Sequence, residues 1–207
     1  MKKVIISLAF LTLIISCNKD DYSGFRGTHS NFLELSFNGV IYKQQGLIIF
    51  TPADIGLVDP NGLSRNCTSH LTNFDYGKDS EDKDLMITMT IPAYSNMMHD
   101  SLIGKKFVLE NSGCGDNYKG GHIFGLDLRI KLYSKSYFSR FDNDLSKYYN
   151  KITKIKYVGS YYDNPLMDVY EVLGEFKIDV VDQSVIPELI HKIIDGKYGV
   201  TVVTHKE

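Results

Sequence analysis

The chain of 207 residues contains no tryptophan, and its longest apolar run, broken only by Ser7 and Thr12, covers only residues 4–15. A missing tryptophan weakens the case for a sugar-stacking platform. An apolar run of twelve residues falls short of the roughly twenty needed to cross about 30 Å of hydrocarbon as a helix. Charge of one sign is lacking too, since 23 basic residues face 25 acidic ones for a formal charge of -2. No nucleic-acid footprint follows from that balance. GxSxG, HExxH, P-loop and paired CxxC motifs are absent, which removes sequence support for the corresponding hydrolase, zinc-protease, nucleotide and zinc-ribbon chemistries. With 43% apolar and 23% charged residues, the composition is that of a globular domain and not of a collagen, coiled coil or disordered polymer.

The strongest local signal is at the N-terminus. Met1-Lys2-Lys3 is a short positive region, residues 4–15 form an apolar core, and Ser16-Cys17 precedes the polar Asn18-Lys19-Asp20-Asp21. That order suits an export signal. The segment Ile14-Ile15-Ser16-Cys17 resembles the lipobox of bacterial lipoproteins. The resemblance implies a signal peptide over 1–16, cleavage before Cys17 and a diacylglycerol on its thiol, so that palmitate-type acyl chains hold the protein on a membrane. Asn18-Lys19-Asp20-Asp21 resembles the export tag of Bacteroidetes-type lipoproteins, which implies the outer membrane and a position facing the cell exterior, with a periplasm-facing orientation as the alternative. Losing Lys2 and Lys3 with the signal takes the charge from 23 against 25 to 21 against 25, about -4.

Residues 17–30 are polar and contain Gly and Ser, the composition of a flexible tether, and 31–207 are expected to form a single β-rich domain. Once Cys17 is assigned to lipid, Cys67 and Cys114 remain. They either pair, closing a loop worth roughly 4 kcal/mol in the chain-entropy account, or stay as two core thiols.

Period-two alternation dominates the domain. Leu33, Leu35 and Phe37 share a face before Asn38-Gly39, a type I′ turn signal that sets Glu34 opposite Lys43. Residues 51–66 read as a surface loop with a turn at Pro60-Asn61-Gly62. Leu85, Ile87, Met89 and Ile91 alternate up to Pro92, residues 106–110 suggest a strand, and Leu126, Leu128, Ile130 and Leu132 point inward with Asp127, Arg129 and Lys131 outward. Phe138, Phe141, Leu145 and Tyr148 recur at helical spacing, suggesting a helix within 136–150. Strand patterning returns over 152–162 and 170–182, with Gly174 at an expected bulge, and residues 184–192 read as a helical turn or two. Asp195-Gly196 reads as the turn into a last strand. The fold class expected is mainly β, an antiparallel sandwich or barrel-like domain of about ten strands with one or two short helices.

Phe37 to Tyr42 (Phe-Asn-Gly-x-x-Tyr), Leu173-Gly174-Glu175-Phe176 and Ile194-Asp195-Gly196-Lys197-Tyr198-Gly199-Val200 resemble the two ends of small uncharacterised Bacteroidetes lipoproteins. That resemblance implies an extracytoplasmic β-sandwich and carries over no catalytic residue.

Asp79, Glu81, Asp82 and Asp84 form an acidic loop that lacks the glycine and terminal glutamate of an EF-hand. A solvated turn is the first reading and calcium the second, so no cofactor is expected. The six histidines are scattered. Tyrosines gather at 148, 149, 157, 161 and 162, and Tyr157, Tyr161 and Tyr162 are the ligand-contact candidates beside their ordinary use as strand and core residues. The expectation is a non-catalytic binding or interaction module whose partner is a glycan or an envelope protein. The alternatives are a structural component of an outer-membrane assembly and a carboxylate-based hydrolase.

Overall fold

Asn38 and Gly39 both adopt left-handed backbone, with φ of 53° and 78°, as a type I′ turn requires. They join β1 (Phe32–Phe37) to β2 (Val40–Gln45), and Glu34 lies opposite Lys43 with 2.9 Å between carboxylate and ammonium. Lys197 approaches the other oxygen of Glu34 at 3.2 Å. The hydrogen bond from Lys43, with help from Lys197, holds this carboxyl below its ordinary range.

The computed structural model describes residues 31–45, 48–52, 59–68, 83–109, 122–132, 135–140, 144–162, 164–182 and 191–207. The remaining strands are β3 (Ile49–Phe50), β4 (Leu63–Thr68), β5 (Lys83–Pro92), β6 (Lys106–Phe107), β7 (Leu126–Leu132), β8 (Lys135–Ser139), β9 (Tyr149–Tyr161), β10 (Asn164–Asp182) and β11 (His191–His205). Strand accounts for 70% of the described residues. All eleven strands join one sheet ordered β2-β1-β11-β10-β8-β7-β5-β4, with β3 added to β11, and β9 to β10 with β6 at its far edge. Every pairing between these strands is antiparallel except β3 with β11. The sheet does not close, and its curl makes a β-sandwich-like domain. Leu33 and Phe37 of β1, Ile87 of β5, Leu128 of β7 and Val172 of β10 meet in one buried cluster, so the alternating faces read from the sequence point into a common core.

The hairpin of β10 and β11 organises this sheet. It runs in unbroken register from Met167 opposite His205 to Val181 opposite His191. Along its free edge β10 takes β9 first and then β8, which pairs with Val180 to Asp182.

Several expectations are corrected. Residues 135–139 form strand β8 rather than part of a helix. β8 is hydrogen-bonded to β7 on one edge and β10 on the other, and Tyr137 packs edge-on against Phe37 at 4.9 Å. Two-sided pairing outweighs a weak helical spacing, and Asp144 accepts a hydrogen bond from the Ser146 amide in a turn that leads to β9. Helical structure among the described residues is confined to 3₁₀ turns at Ser95–Met97 and Asp100–Leu102, and the 184–190 stretch lies outside the described residues. Asp195-Gly196 is no turn; both lie within β11. Leu63 to Asn66, read as loop, belong to β4, because β5 offers them a paired edge. The strand expected over 106–110 is reduced to Lys106–Phe107. Asp127, expected outward, is buried and accepts a hydrogen bond from the Ser139 hydroxyl. The Pro60-Asn61-Gly62 turn stands, with Asp59 accepting from the amides of Asn61 and Leu63 at 2.8 and 2.9 Å. So does the bulge at Gly174: β9 carries Thr153 as an extra residue between Leu173 opposite Lys154 and Gly174 opposite Ile152.

Candidate interaction surface

Three irregularities in the β9–β10 pairing shape the most exposed part of the sheet. Asn164 pairs with Tyr161, but the next β10 residue in register, Asp168, pairs with Ser160, so Pro165, Leu166 and Met167 loop out of the ladder. Pro165 has no amide to give to that ladder, and Asn164 accepts from the Leu166 amide at 3.0 Å in a local turn. Further along, Val158 is the extra residue between Gly159 opposite Val169 and Tyr157 opposite Tyr170. A looped-out residue is turned away from its strand neighbours. Leu166 is accordingly 67% exposed.

The three tyrosines singled out from the sequence all lie on this hairpin, but they do not form one face. Tyr157, 54% exposed, meets Tyr170 edge-on at 5.6 Å, and Tyr170 belongs to the main core. Tyr161 packs with Val169 and Val203 in a second, smaller cluster, and Tyr162, 60% exposed, meets it edge-on at 4.5 Å. Tyr148, just before β9, packs on the main core, and Tyr149 lies under the Lys106 ammonium at 4.0 Å, both at the end of β9 away from the tip. Sequence reasoning missed Val158 and Leu166. The signals available were Gly159 and the Asn164-Pro165 dipeptide, which interrupt an otherwise regular strand pattern.

Beside the hairpin, polar groups tie the strand ends together. The Ser95 hydroxyl lies 3.0 Å from that of Thr204 and donates to the His205 carbonyl at 3.0 Å. Tyr170 donates to the Ser95 carbonyl at 3.5 Å, and Lys206 stands 3.2 Å from the buried Asp168 carboxylate.

A second polar concentration lies at the other end of β10. The Ser139 hydroxyl donates to Asp127 and accepts from the Leu128 amide at 3.1 Å, while Lys135 stands 3.7 Å from the buried Asp182 carboxylate. Asp179 and Asp182 are three residues apart on one strand, so their side chains leave opposite faces. They are not the facing pair that a carboxylate hydrolase uses. Among the described residues no three His, Cys, Asp or Glu side chains group to hold a metal ion. Asp79, Glu81 and Asp82 of the acidic loop lie outside the described residues, and Asp84 enters β5 opposite Lys131. Cys67 sits in β4 opposite Thr88, while Cys17 and Cys114 lie outside the described residues.

Deep in the core, the Tyr198 hydroxyl donates to Asn150 at 2.9 Å, and the Asn150 amide donates to the Phe124 carbonyl at 2.8 Å. Burial pushes the Tyr198 hydroxyl well above the ordinary tyrosine value of 10.0. The unfolded chain therefore releases this proton near pH 10 while the folded chain keeps it. Stability from this group is intact below pH 10 and is lost as the pH rises above it, by up to about 1.4 kcal/mol per pH unit. Denaturation midpoints measured from pH 8 to 11.5 should show that decline, and Tyr198→Phe should flatten it. An unchanged slope in the variant would place the alkaline sensitivity elsewhere.

Comparison of the chain with protein-family models, with curated proteins and with solved structures finds no match in any of the three.

Proposed function

We propose that this chain is a membrane-anchored lipoprotein of the outer cell envelope whose β domain acts as a non-catalytic interaction module, with the β9–β10 hairpin as its contact surface. The observation that carries the contact surface is a concentration: of seven exposed large apolar residues among those described, four (Tyr157, Val158, Tyr162 and Leu166) fall within ten positions of one hairpin. Scattered apolar residues are ordinary on a protein surface, whereas a local grouping on one element is what contact sites use. The anchoring part is supported by the positive region, apolar core and Ser16-Cys17 junction of the sequence.

Intact-mass spectrometry of the protein recovered from its own cells tests the anchor. The expected mass is that of a chain beginning at Cys17 plus acyl groups, and Cys17→Ser should abolish both the acyl mass and membrane retention. A mass that retains Met1, with no acyl addition, sinks the reading. Protease treatment of intact cells then reads the membrane face, since an outward-facing domain is cut and an inward-facing one survives. Crosslinking from position 157 should capture a neighbour that crosslinking from Ile41 does not. A stoichiometric envelope protein in both samples would instead assign the chain to a structural assembly.

A further inference from the structure

We propose that the tip of the β9–β10 hairpin rests in the headgroup layer of the bilayer that carries the chain, with Tyr162 and Leu166 as the contacting side chains. This rests on the anchoring reading above and names what the hairpin touches.

The first argument is position. The ladder between β10 and β11 ends at Met167 opposite His205, with the Lys206 amide donating to the Leu166 carbonyl at 2.8 Å, so Tyr162 and Leu166 lie at that end of the sheet. Asn31, where the described domain begins, donates to the Ile48 carbonyl and the Thr201 hydroxyl, both at 3.0 Å. Thr201 pairs with Glu171, which places the start of the domain in the half of the sheet that carries the tip. Leu166 lies five residues beyond Glu171 along β10, or about 17 Å at the usual strand rise. The turn at Asn38 and Gly39 lies at the opposite end of β1 from Asn31.

Length is the second argument. Residues 17–30 have the polar, glycine-containing composition of a tether, and a flexible coil of fourteen residues has a root-mean-square span of at least about 20 Å. This nearly equals the distance from the start of the domain to the level of the tip. A tethered contact is most favoured when the tether's typical reach matches the gap it must bridge. A much longer tether would release the tip from the surface, and a much shorter one would press it there regardless of chemistry.

The chemistry of the tip agrees. From Tyr157 to Leu166 the sequence carries a single charged residue, Asp163, in a chain that is 23% charged overall. Tyrosine presents an apolar ring with a polar hydroxyl and settles at the boundary between acyl chains and water, and Leu166 and Pro165 add apolar surface beside it. Two side chains make only a weak contact alone. With the anchor already holding the domain at the surface, they suffice to orient it.

The absence of tryptophan makes the test direct, because a single introduced tryptophan is the only indole in the molecule. The chain from Asn18 to Glu207, with a hexahistidine replacing the leader, is held on vesicles of equimolar phosphatidylethanolamine and phosphatidylglycerol containing a nickel-chelating lipid. This attachment makes the outcome independent of whether Cys17 is acylated in cells, which the mass measurement above decides separately. Tyr162→Trp should show blue-shifted emission and quenching by brominated acyl chains on vesicles, and neither in solution. Leu166→Trp, at a second exposed position, should behave likewise. Ile41→Trp, 60% exposed near the opposite end of β1, should show neither change. Unshifted emission at both tip positions overturns the proposal and leaves the hairpin to a protein or glycan partner. Equal shifts at the tip and at position 41 overturn it too, because the domain would then lie on the bilayer without a preferred end.

Discussion

Gly174→Ala is expected to lower the stability of the domain by about 3 kcal/mol, the upper end of what overpacking a well-packed core usually costs. In the β10–β11 ladder Gly174 faces Tyr198 and Phe176 faces Gly196. Each aromatic ring lies across the backbone of the opposing glycine, and the two rings stack on the diagonal with centroids 6.4 Å apart and planes 22° from parallel. A methyl group at 174 would stand 2.8 Å from Tyr198 Cε1, and closer still to Cζ and the hydroxyl. Tyr198 is fully buried and held by Asn150, so the ring has nowhere to go. At Gly196 an added methyl would stand 2.7 Å from Phe176 Cε1, which predicts a similar loss for Gly196→Ala. Urea unfolding would read both. The diagnostic arm is Gly174→Ala in a Tyr198→Ala background: removing the ring should remove most of the added penalty, giving a coupling above about 1 kcal/mol in the double-mutant cycle. A single Gly174→Ala variant within about 0.5 kcal/mol of the parent would show that these glycines answer to some other constraint.

Asn150→Ala is expected to cost about 3 kcal/mol, near the upper end for loss of a buried polar group whose partners stay behind. Asn150 is completely buried at the start of β9 and reaches both the Tyr198 hydroxyl and the Phe124 carbonyl. Phe124 has φ of 52°, a left-handed conformation that a bulky residue adopts only when its surroundings hold it. Its amide and the following carbonyl are engaged by Thr90 of β5 at 2.9 Å each. Asn150 therefore fastens the β9 end of the sheet to the loop that leads into β7. Alanine would strand a phenol and a carbonyl without water, and it would leave Phe124 more weakly held. Tyr198→Phe removes the hydroxyl alone and should cost less, about 1 to 2 kcal/mol. Hydrogen exchange should show the Phe124 and Thr90 amides opening first in Asn150→Ala. Uniform loss of protection across the sheet would argue against this local account.

The two glycine–aromatic pairs also account for a turn-like dipeptide inside a strand. Asp195-Gly196 has the letters of a turn, and nothing within five residues of it says otherwise. What converts it to strand is Phe176, twenty positions earlier, whose ring needs the space that a glycine leaves in the facing strand. The same holds for residues 135–139. Their spacing suits a helix weakly, but β7 and β10 present two open edges between which only an extended segment satisfies its backbone groups. Asp127 looked like a solvent residue because it follows a core leucine, and it is buried because Ser139 is brought to it from β8.

At the candidate surface, the tyrosines could be named from their crowding in the chain. Their separation into two faces could not, since it depends on which residues of β9 and β10 drop out of register. The register shifts between β9 and β10 decide that, and they arise between two long strands of which one is also held by β11 and the other only by the short β6.

The β class, the alternating core faces of β1, β5 and β7, and the Asn38-Gly39 hairpin with its Glu34–Lys43 pair are legible in the residues alone. All of these follow from side-chain period and turn stereochemistry within a few consecutive residues. The path of the sheet, the strand nature of β8 and of Asp195-Gly196, and which tyrosines reach solvent emerge only on folding. Those outcomes depend on strand partners, some of them more than a hundred residues apart, and the energy of a ladder or a buried ring lies in the pairing and not in either segment alone.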